Sequence, residues 1–427
     1  MPLHTPSSSD IRLPGGIVVP RAWLPGVALM ILTTLIVGVR LVQNLGYLDQ
    51  SLSPITTTTP FWDFNNLWSG ARMALDGNVG TLWDADAYRA ALRAMHDASL
   101  PDHEWSYPPH ILLVGMPLAM LPEWAAYVLW TVATLALVTR AMLSAGLKRS
   151  ESLLLLASPL VLFNALLGQN GALTAGLFIG GFALMERRPV LAGILFGLLT
   201  IKPHWGLVIV AVLLVTRSWL TIASAIATAL AMVTATTFLL GVGVWEGFLN
   251  GTVPLMKNSI MFAEVPQFFQ QNSATWFIIF RELGLNVPIS QMLQGIITLI
   301  CIALTAFAWW RHADAPRIEL IAVTAALACL ALPYGYTYEL IGLGFAGLVM
   351  LRKPTTVRFC LFALLWSLPV VNLYIFQLTF FSMAPVVVLA ITVTLWRDLL
   401  ATQASESDLR LARDTGLSPT PPAPTGA

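Results

Sequence analysis

Residues 24–46 read LPGVALMILTTLIVGVRLVQNLG, an apolar run interrupted by a single charged residue, Arg40. A helix needs about 20 such residues to cross a bilayer. Similar runs recur almost to the end of the 427-residue chain, which is 57% hydrophobic and only 11% charged. Because a soluble protein of this size carries far more charge, we predict an all-α polytopic membrane protein.

The apolar runs predict about twelve spans between residues 23 and 398. Several runs are shorter than the roughly 17 residues that a lipid-facing helix requires, so we expect those helices to be broken or buried in the bundle. Residues 1–22 form a cytoplasmic tail, and residues 399–427, which end in a Pro- and Thr-rich stretch, are expected to be a disordered cytoplasmic tail.

Basic residues fall unevenly on the two sides of these spans. Of the 23 Lys and Arg residues, 16 lie on the side of the termini, and Arg40 lies within the first span. The opposite side holds Arg72, Arg89, Arg93, Lys202, Lys257 and Arg281. Because Lys and Arg collect in cytoplasmic loops, we predict an inner (plasma) membrane protein with both termini in the cytoplasm.

Two loops on the predicted outer side are long, residues 47–108 and 245–288. The first is acidic, and within it residues 64–75 and 85–95 have helix-like apolar spacing around the turn signal DGNVG. We expect two short helices there on the outer membrane face. A half-length apolar element bounded by prolines follows, PPHILLVGMPLAMLP (108–122).

Polar residues at the outer ends of the spans are informative about function. Holding them out of water is costly, so such residues usually bind a partner or a ligand. They form five clusters that the topology places on one side, as a single cavity opening outward would require. The clusters are WDFNN (62–66), EWSYPPH (104–110), LGQNG (167–171), IKPHW (201–205) and PYGYTYE (333–339).

Several of these residues also have a structural interpretation. Gln169 and Asn170 fit an interhelical turn, and Lys202 fits a side chain that extends from a helix end to the lipid headgroups. The tyrosines of PYGYTYE fit an aromatic belt at the interface. These alternatives stand beside a role in binding.

Other features favour a role in substrate binding or catalysis. Lys202 and His204 flank a proline on the side where basic residues are scarce, which favours binding of an anion such as a phosphate. Glu339 begins an apolar helix, where a carboxylate needs a partner. Asp63 shares its loop with seven other acidic residues, so composition alone does not single it out.

Two classes of function are disfavoured by composition. A net charge of +1, without any Lys- and Arg-rich block, argues against nucleic-acid binding. Cys301, Cys329 and Cys360 lie in apolar runs without the spacing of a zinc site or a disulfide framework. No metal site and no cofactor is predicted.

In order along the chain, a set of short motifs resembles the polyprenol-phosphate-mannose-dependent glycosyltransferases of the GT-C superfamily. More narrowly it resembles glycosyltransferase family 87 (GT87), which includes mycobacterial mannosyltransferases. The motifs span about a third of the chain. They are Asp63-Phe64, GNVGTLWD (77–84), Tyr107-Pro108-Pro109, LGQN (167–170) and AGILFGLLTIKP (192–203).

This resemblance implies a bundle of about a dozen helices and transfer of a sugar from a polyprenyl phosphate to a glycan or glycolipid acceptor outside the membrane. It implies that an acid in the first outer loop is the general base, and the matching position is Asp63. Phe61, Trp62 and Phe64 are expected to anchor that carboxylate at the depth of the lipid headgroups. Members often carry a histidine near the outer end of a late helix, where this chain has PYGYTYE.

Substrate-binding roles follow for residues of the other clusters. A cation near the donor phosphate would stabilise the leaving group, a role for Lys202 with His204 or Arg72. Polar groups of the donor pocket and of the acceptor side are expected at Gln169, Asn170, Tyr107, Tyr338 and Glu339. The competing hypothesis is a transporter or flippase for a lipid-linked sugar, which predicts polar or charged residues in the middle of the spans.

Overall fold

A computed structural model of the chain describes residues 10–12, 18–48, 50, 52–53, 57–265 and 268–415. A short antiparallel ribbon, β1 (Asp10–Arg12) with β2 (Val18–Pro20), precedes the first helix. Every other regular element in these described ranges is helical. The α-helices are α1 (Leu24–Leu45), α2 (Trp62–Leu75), α3 (Ala85–Met95), α4 (Leu112–Ala119), α5 (Glu123–Ser144), α6 (Arg149–Leu156), α7 (Pro159–Leu167), α8 (Gly171–Leu184), α9 (Pro189–Leu198), α10 (Gly206–Val215), α11 (Trp219–Leu240), α12 (Gly243–Gly247), α13 (Val253–Met261), α14 (Trp276–Glu282), α15 (Val287–Arg311), α16 (Arg317–Ala331), α17 (Ile341–Met350), α18 (Thr356–Thr379) and α19 (Ala384–Thr415).

Six of the described helices are long and apolar enough to cross a membrane: α1, α5, α11, α15, α18 and the first 18 residues of α19. Helices α6 and α7 add a seventh span if the pair, bent by 50°, is counted as one. Five shorter apolar helical segments accompany them, ending at Ala119, Leu184, Ile201, Val215 and Met350. The prediction of an all-α polytopic membrane protein is therefore confirmed, and the number twelve stays a prediction.

Short helices occur where the sequence has short apolar runs, because their surfaces are covered by protein. Every residue of α17 is buried. In α16 every residue is buried except Arg317 and Glu319. Helix α16 packs against α15, α17 and α19. A helix enclosed in this way does not have to match the thickness of the bilayer.

Small residues bring α9 and α11 into close contact. A Cβ atom added to Gly193 would meet Ser224 and the carbonyl of Thr221, both at 2.5 Å. A Cβ atom on Gly197, one turn further along, would meet Thr228 at 2.5 Å. This spacing of small residues is typical of helix pairs that pack within membranes.

The first long loop contains the two short helices expected there, α2 and α3. Helix α3 begins at Asp84, whose carboxylate accepts hydrogen bonds from the backbone N–H groups of Asp86 and Ala87, both at 3.0 Å. The half-length apolar element becomes α4, which packs against α2 where Gly115 faces Ala71.

Ion pairs join helix ends on the side of the bundle opposite to the turns between α7 and α8 and between α9 and α10. Arg358 pairs with Asp398 at 2.5 Å, Arg352 pairs with Glu151 at 3.2 Å, and Arg317 pairs with Glu186. Helix α19 continues to Thr415, into the segment for which disorder was predicted, while residues 416–427 lie outside the described residues. Residues 402–415 consist mainly of helix-compatible types, and the Pro-rich stretch begins after them.

Candidate functional site

Asp63 lies in the first turn of α2. The chain enters this helix through Phe61, which has a left-handed backbone conformation with φ 56°. The Phe61 ring stacks on Tyr127 of α5 with centroids 3.5 Å apart, and the Tyr127 hydroxyl donates to the Ala165 carbonyl of α7 at 2.8 Å. The start of α2 is thereby held against two helices of the bundle.

Gly168 brings the turn between α7 and α8 onto α2. It has a left-handed conformation with φ 68°, which favours glycine. A Cβ atom here would also overlap the side chain of Phe64. The absence of a side chain at Gly168 therefore lets the next residue, Gln169, approach Asp63 and hydrogen-bond to its carboxylate.

A second contact joins the same turn to the loop between α16 and α17. A Cβ atom on Gly171 would overlap the backbone carbonyl of Tyr338. The Asn164 amide of α7 donates to that carbonyl at 3.5 Å. Asn170 is buried beside these groups, and its side-chain oxygen has no hydrogen-bond partner among the described residues.

Lys202 and Glu339 form an ion pair across this site. Glu339 is 2% exposed and also accepts a hydrogen bond from the backbone N–H of Tyr336 at 3.2 Å. Lys202 retains some access to solvent, with 14% of its side chain exposed. The partner that a carboxylate at Glu339 requires is therefore Lys202, which comes from the turn after α9.

The carboxyl group of Asp63 has a strongly shifted pKa. Burial raises this pKa, while the hydrogen bond from Gln169 and the positive charge of Lys202 lower it, and the net value is about 6. A carboxylate with a pKa near neutrality is a stronger base than an ordinary aspartate but is still mostly ionised at pH 7. Asp63 is thus suited to accept a proton.

Three tyrosines surround the two carboxylates. Burial and the negative charges of Asp63 and Glu339 raise the pKa of Tyr107 and Tyr336. The pKa of Tyr338, whose ring stacks on Tyr336 at 5.3 Å, is raised by burial and by Asp63. All three hydroxyls stay protonated and can donate hydrogen bonds to oxygen atoms of a bound substrate.

His204 is 9% exposed and follows Lys202 by two residues. Its ring lies 4.4 Å from the ring of Tyr334. Neither ring nitrogen has a hydrogen-bond partner in the described part of the chain. Since buried polar groups are nearly always paired, these nitrogens are available to a ligand.

The structure brings together the clusters around Asp63, Tyr107, Gln169, Lys202 and Glu339, but it does not bring Arg72 to them. Arg72 follows Asp63 by nine residues, a spacing that puts the two side chains on opposite faces of α2. It pairs with Asp76 at 3.3 Å, and 45% of its side chain is exposed. The described residues contain no group of three His, Cys, Asp or Glu side chains arranged to hold a metal ion.

The aromatic neighbours of Asp63 differ from the expectation of a lipid anchor. Phe61 and Phe64 are 3% and 1% exposed, because both pack against α5. Trp62 instead stacks on His103 with ring centroids 4.3 Å apart. These rings fix α2 to protein, and the expectation that they anchor it at lipid headgroups was wrong for Phe61 and Phe64.

His103 was not among the predicted site residues, although its Nε2 atom lies 3.9 Å from Oδ1 of Asp63. The two residues are forty positions apart in a loop with no regular spacing between them. Burial lowers the pKa of His103 to about 3, so the ring is neutral. Only the three-dimensional arrangement of the loop reveals this neighbour.

In a comparison with protein-family models, the model of glycosyltransferase family 87 matches residues 105–333, more than half of the chain. The matched region contains Gln169, Lys202 and most of the helices that surround them, and it ends six residues before Glu339. Comparisons with curated proteins and with solved structures gave no match.

Proposed function

The chain belongs to glycosyltransferase family 87 and is a multi-pass membrane glycosyltransferase, and on that premise we propose that it transfers a hexose from a polyprenyl phosphate. The proposed hexose is mannose, as the motif resemblance suggests. The acceptor is a glycan or glycolipid at the outer face of the inner membrane. The observation that carries this proposal is that a base, Asp63, lies close enough to a cation, Lys202, for the lysine charge to lower the pKa of the carboxyl group.

The proposed reaction is a single displacement at the anomeric carbon. The acceptor hydroxyl attacks that carbon while Asp63 takes the hydroxyl proton. The bond to the phosphate oxygen breaks, and negative charge grows on the lipid phosphate. Lys202 can stabilise this charge. Its ion pair with Glu339 neutralises only part of the lysine charge when a phosphate is bound as well.

Neutral groups complete the proposed pocket. The N–H of the neutral His204 ring can donate to the phosphate of the donor, and the amides of Gln169 and Asn170 can hydrogen-bond to hydroxyl groups of the sugar. Tyr107 and Tyr338 can donate to the acceptor. Glu339 holds Lys202 in position through their ion pair.

The outward orientation is supported by the distribution of basic residues. Arg317, Arg352 and Arg358 lie at the bundle end opposite to Asp63. Since basic residues mark the cytoplasmic side, the Asp63 end is proposed to face outward. Both termini are then proposed to lie in the cytoplasm.

An apolar groove of about 340 Å³ between α9, α10 and α11 is the proposed path for the prenyl chain. Thr200 and Pro203, which flank the Lys202 turn, line one end of it. Ala229 of α11 lines its wall. A chain in this groove would leave its phosphate close to Lys202, since the groove begins at that turn.

Ala229→Trp is expected to raise the KM for a long-chain polyprenyl-phosphate sugar by roughly tenfold, the effect of about 1.4 kcal/mol of lost apolar contact. The indole would occupy space that the prenyl chain needs. A donor with a chain of one or two isoprene units should be used with little change. Transfer assays with the two donors measure this difference.

Ala227→Trp is the matched control, because Ala227 is exposed on the same helix and does not line the groove. It should leave both KM values unchanged. A KM for the long-chain donor that is the same in Ala229→Trp as in the unmodified protein would exclude this groove as the path of the chain.

The experiment that tests the function incubates membranes containing the protein with radiolabelled polyprenyl-phosphate-mannose and, separately, with polyprenyl-phosphate-glucose. We expect the mannose label to leave the lipid and to appear on a larger product. Membranes that carry Asp63→Asn should retain the label on the lipid. Retention of both labels by the unmodified protein, in membranes that supply acceptor, would contradict the proposal.

The transporter alternative receives less support from the buried charges. Among the described residues, Glu339 is the one acidic or basic side chain, histidine apart, that is fully buried, and it lies in the site rather than in mid-span. A path for a charged lipid headgroup through the bundle would require more such groups.

A further inference from the structure

Asp63 has a polar neighbour that the proposed reaction does not yet use. The Nε2 atom of His103 lies 3.9 Å from Oδ1 of Asp63. The imidazole ring lies almost parallel to the indole of Trp62, with 10° between the planes and 4.3 Å between the centroids. Since Trp62 directly precedes Asp63, this stacking holds the ring beside the carboxylate.

The side chain of Asn66 determines which histidine nitrogen carries the proton. The Asn66 amide nitrogen donates to the backbone carbonyl of Glu104 at 3.0 Å, and the Asn66 side-chain oxygen accepts from the hydroxyl of Tyr88. These two bonds fix the orientation of the amide. The same nitrogen lies 3.2 Å from Nε2 of His103, so Nε2 must be the acceptor.

A neutral His103 therefore has its proton on Nδ1. That atom is buried and has no hydrogen-bond partner among the described residues. Burial keeps the ring neutral, as its low pKa indicates. The single lone pair of Nε2 is thus engaged by the Asn66 N–H, and the ionised carboxylate of Asp63, 3.9 Å away, has no proton to offer it.

A proton placed on Asp63 would compete with the Asn66 N–H for this lone pair, and the Asn66 nitrogen would keep its hydrogen bond to the Glu104 carbonyl. A carboxylic acid is a strong donor, and Nε2 of a neutral histidine is a good acceptor. Closing the 3.9 Å gap to hydrogen-bond distance requires the side chains to move by about 1 Å. A hydrogen bond that forms only to the neutral carboxyl group favours that form and makes the carboxylate a stronger base.

We propose that Nε2 of His103 accepts a hydrogen bond from Asp63 once Asp63 has taken the proton of the acceptor hydroxyl. His103 is then a positioning residue that strengthens the base, a role that rests on the proposed function of Asp63. The proton moves from the acceptor oxygen to Asp63, remains there while the phosphate leaves with the bonding electrons, and is later released to water. His103 stays neutral throughout.

Other groups near Asp63 affect its protonation but cannot replace this acceptor. The charge of Lys202 favours the ionised carboxylate, and the protonated tyrosines are donors. The carboxylate of Glu104, next to His103 in sequence, is directed to Arg89 instead. The titratable groups that act on Asp63 are Lys202, Tyr107, Tyr336, Tyr338 and, through the ion pair with Lys202, Glu339.

The test compares His103→Phe with His103→Gln in the full-length protein. Phenylalanine keeps the stacking on Trp62 but has no acceptor, whereas the glutamine side chain offers an oxygen. The infrared band of the protonated Asp63 carboxyl group is isolated by subtracting the spectrum of Asp63→Asn at each pH. Its titration midpoint should fall by roughly one pH unit in His103→Phe and recover at least in part in His103→Gln.

The change in the pKa of Asp63 should also appear in the pH dependence of the transfer rate. The acidic limb of kcat/KM should move to lower pH in His103→Phe, and the plateau rate should fall by roughly tenfold because the base is weaker. An Asp63 band that titrates at the same pH in all three proteins overturns the proposal, even if His103→Phe loses activity, because that loss would be structural. If His103→Phe fails to insert, His103→Leu, which also lacks an acceptor, takes its place, and an unshifted Asp63 band in His103→Leu overturns the proposal.

The infrared titration needs neither donor nor acceptor, so its outcome is separate from that of the proposed function. If Asp63→Asn transferred sugar normally, the role of Asp63 would fail while the hydrogen bond to His103 could still be observed. If Asp63→Asn is inactive and the band does not move, Asp63 remains the base and His103 is excluded.

Discussion

Asp63→Asn is expected to reduce sugar transfer by roughly 10²- to 10⁴-fold, the contribution that a positioned general base usually makes. The amide has nearly the shape of the carboxylate but cannot take the proton of an attacking hydroxyl. The pKa of about 6 makes the loss measurable across neutral pH, where most of Asp63 is ionised in the unmodified protein. Initial rates of label transfer from the lipid donor, with equal amounts of inserted protein, measure the effect.

Asp76→Asn is the matched control for this experiment. Asp76 caps the end of the same helix and is 47% exposed, where it pairs with Arg72. An exposed pair of this kind contributes little to stability. Asp76→Asn should therefore transfer sugar at nearly the unmodified rate, and a similar loss in both variants would indicate damage to α2 rather than removal of a base.

The grouping of the candidate site residues could be predicted from the sequence because these residues lie at helix ends. A span that begins on one side must end on the other, so counting spans places Gln169, Lys202 and Glu339 at the same end of the bundle. In the structure these residues lie close together, as counting the spans predicts. The family resemblance was needed to select Asp63, because its loop is acidic throughout.

Residues of the first loop were harder to predict, because side-chain partners in a loop do not follow from spans. Arg72 lies on α2 with Asp63, but helical periodicity places it half a turn away. His103 is close to Asp63 only because the chain returns over α2 after α3. The pairing of Lys202 with Glu339 likewise depends on the packing of the turn after α9 against a loop more than 130 residues later.

Lys202→Met is expected to have two separate effects. It should lower kcat/KM by roughly 10²- to 10³-fold, since the charge of the leaving phosphate would lose its cation. It should also destabilise the fold by about 3–5 kcal/mol, because Glu339, which is 2% exposed, would be left without its partner. Transfer assays and thermal unfolding in detergent measure the two effects.

The double variant Lys202→Met/Glu339→Gln separates these effects. It removes both charges, so most of the lost stability should return. Transfer should stay low, because the phosphate still has no cation. A double variant that regains the unmodified transfer rate would show that Lys202 acts only through folding and would remove it from the proposed mechanism.

Glu339→Gln alone is expected to strengthen binding of the donor, whereas Lys202→Met weakens transfer. The ion pair with Glu339 competes with a donor phosphate for Lys202, so removing the negative charge should lower the KM for the donor by several-fold. Asp63 remains near Lys202 and compensates part of its charge, which limits the loss of stability. A raised KM with unchanged stability would mean that Glu339 holds Lys202 in its working position and does not compete with the donor.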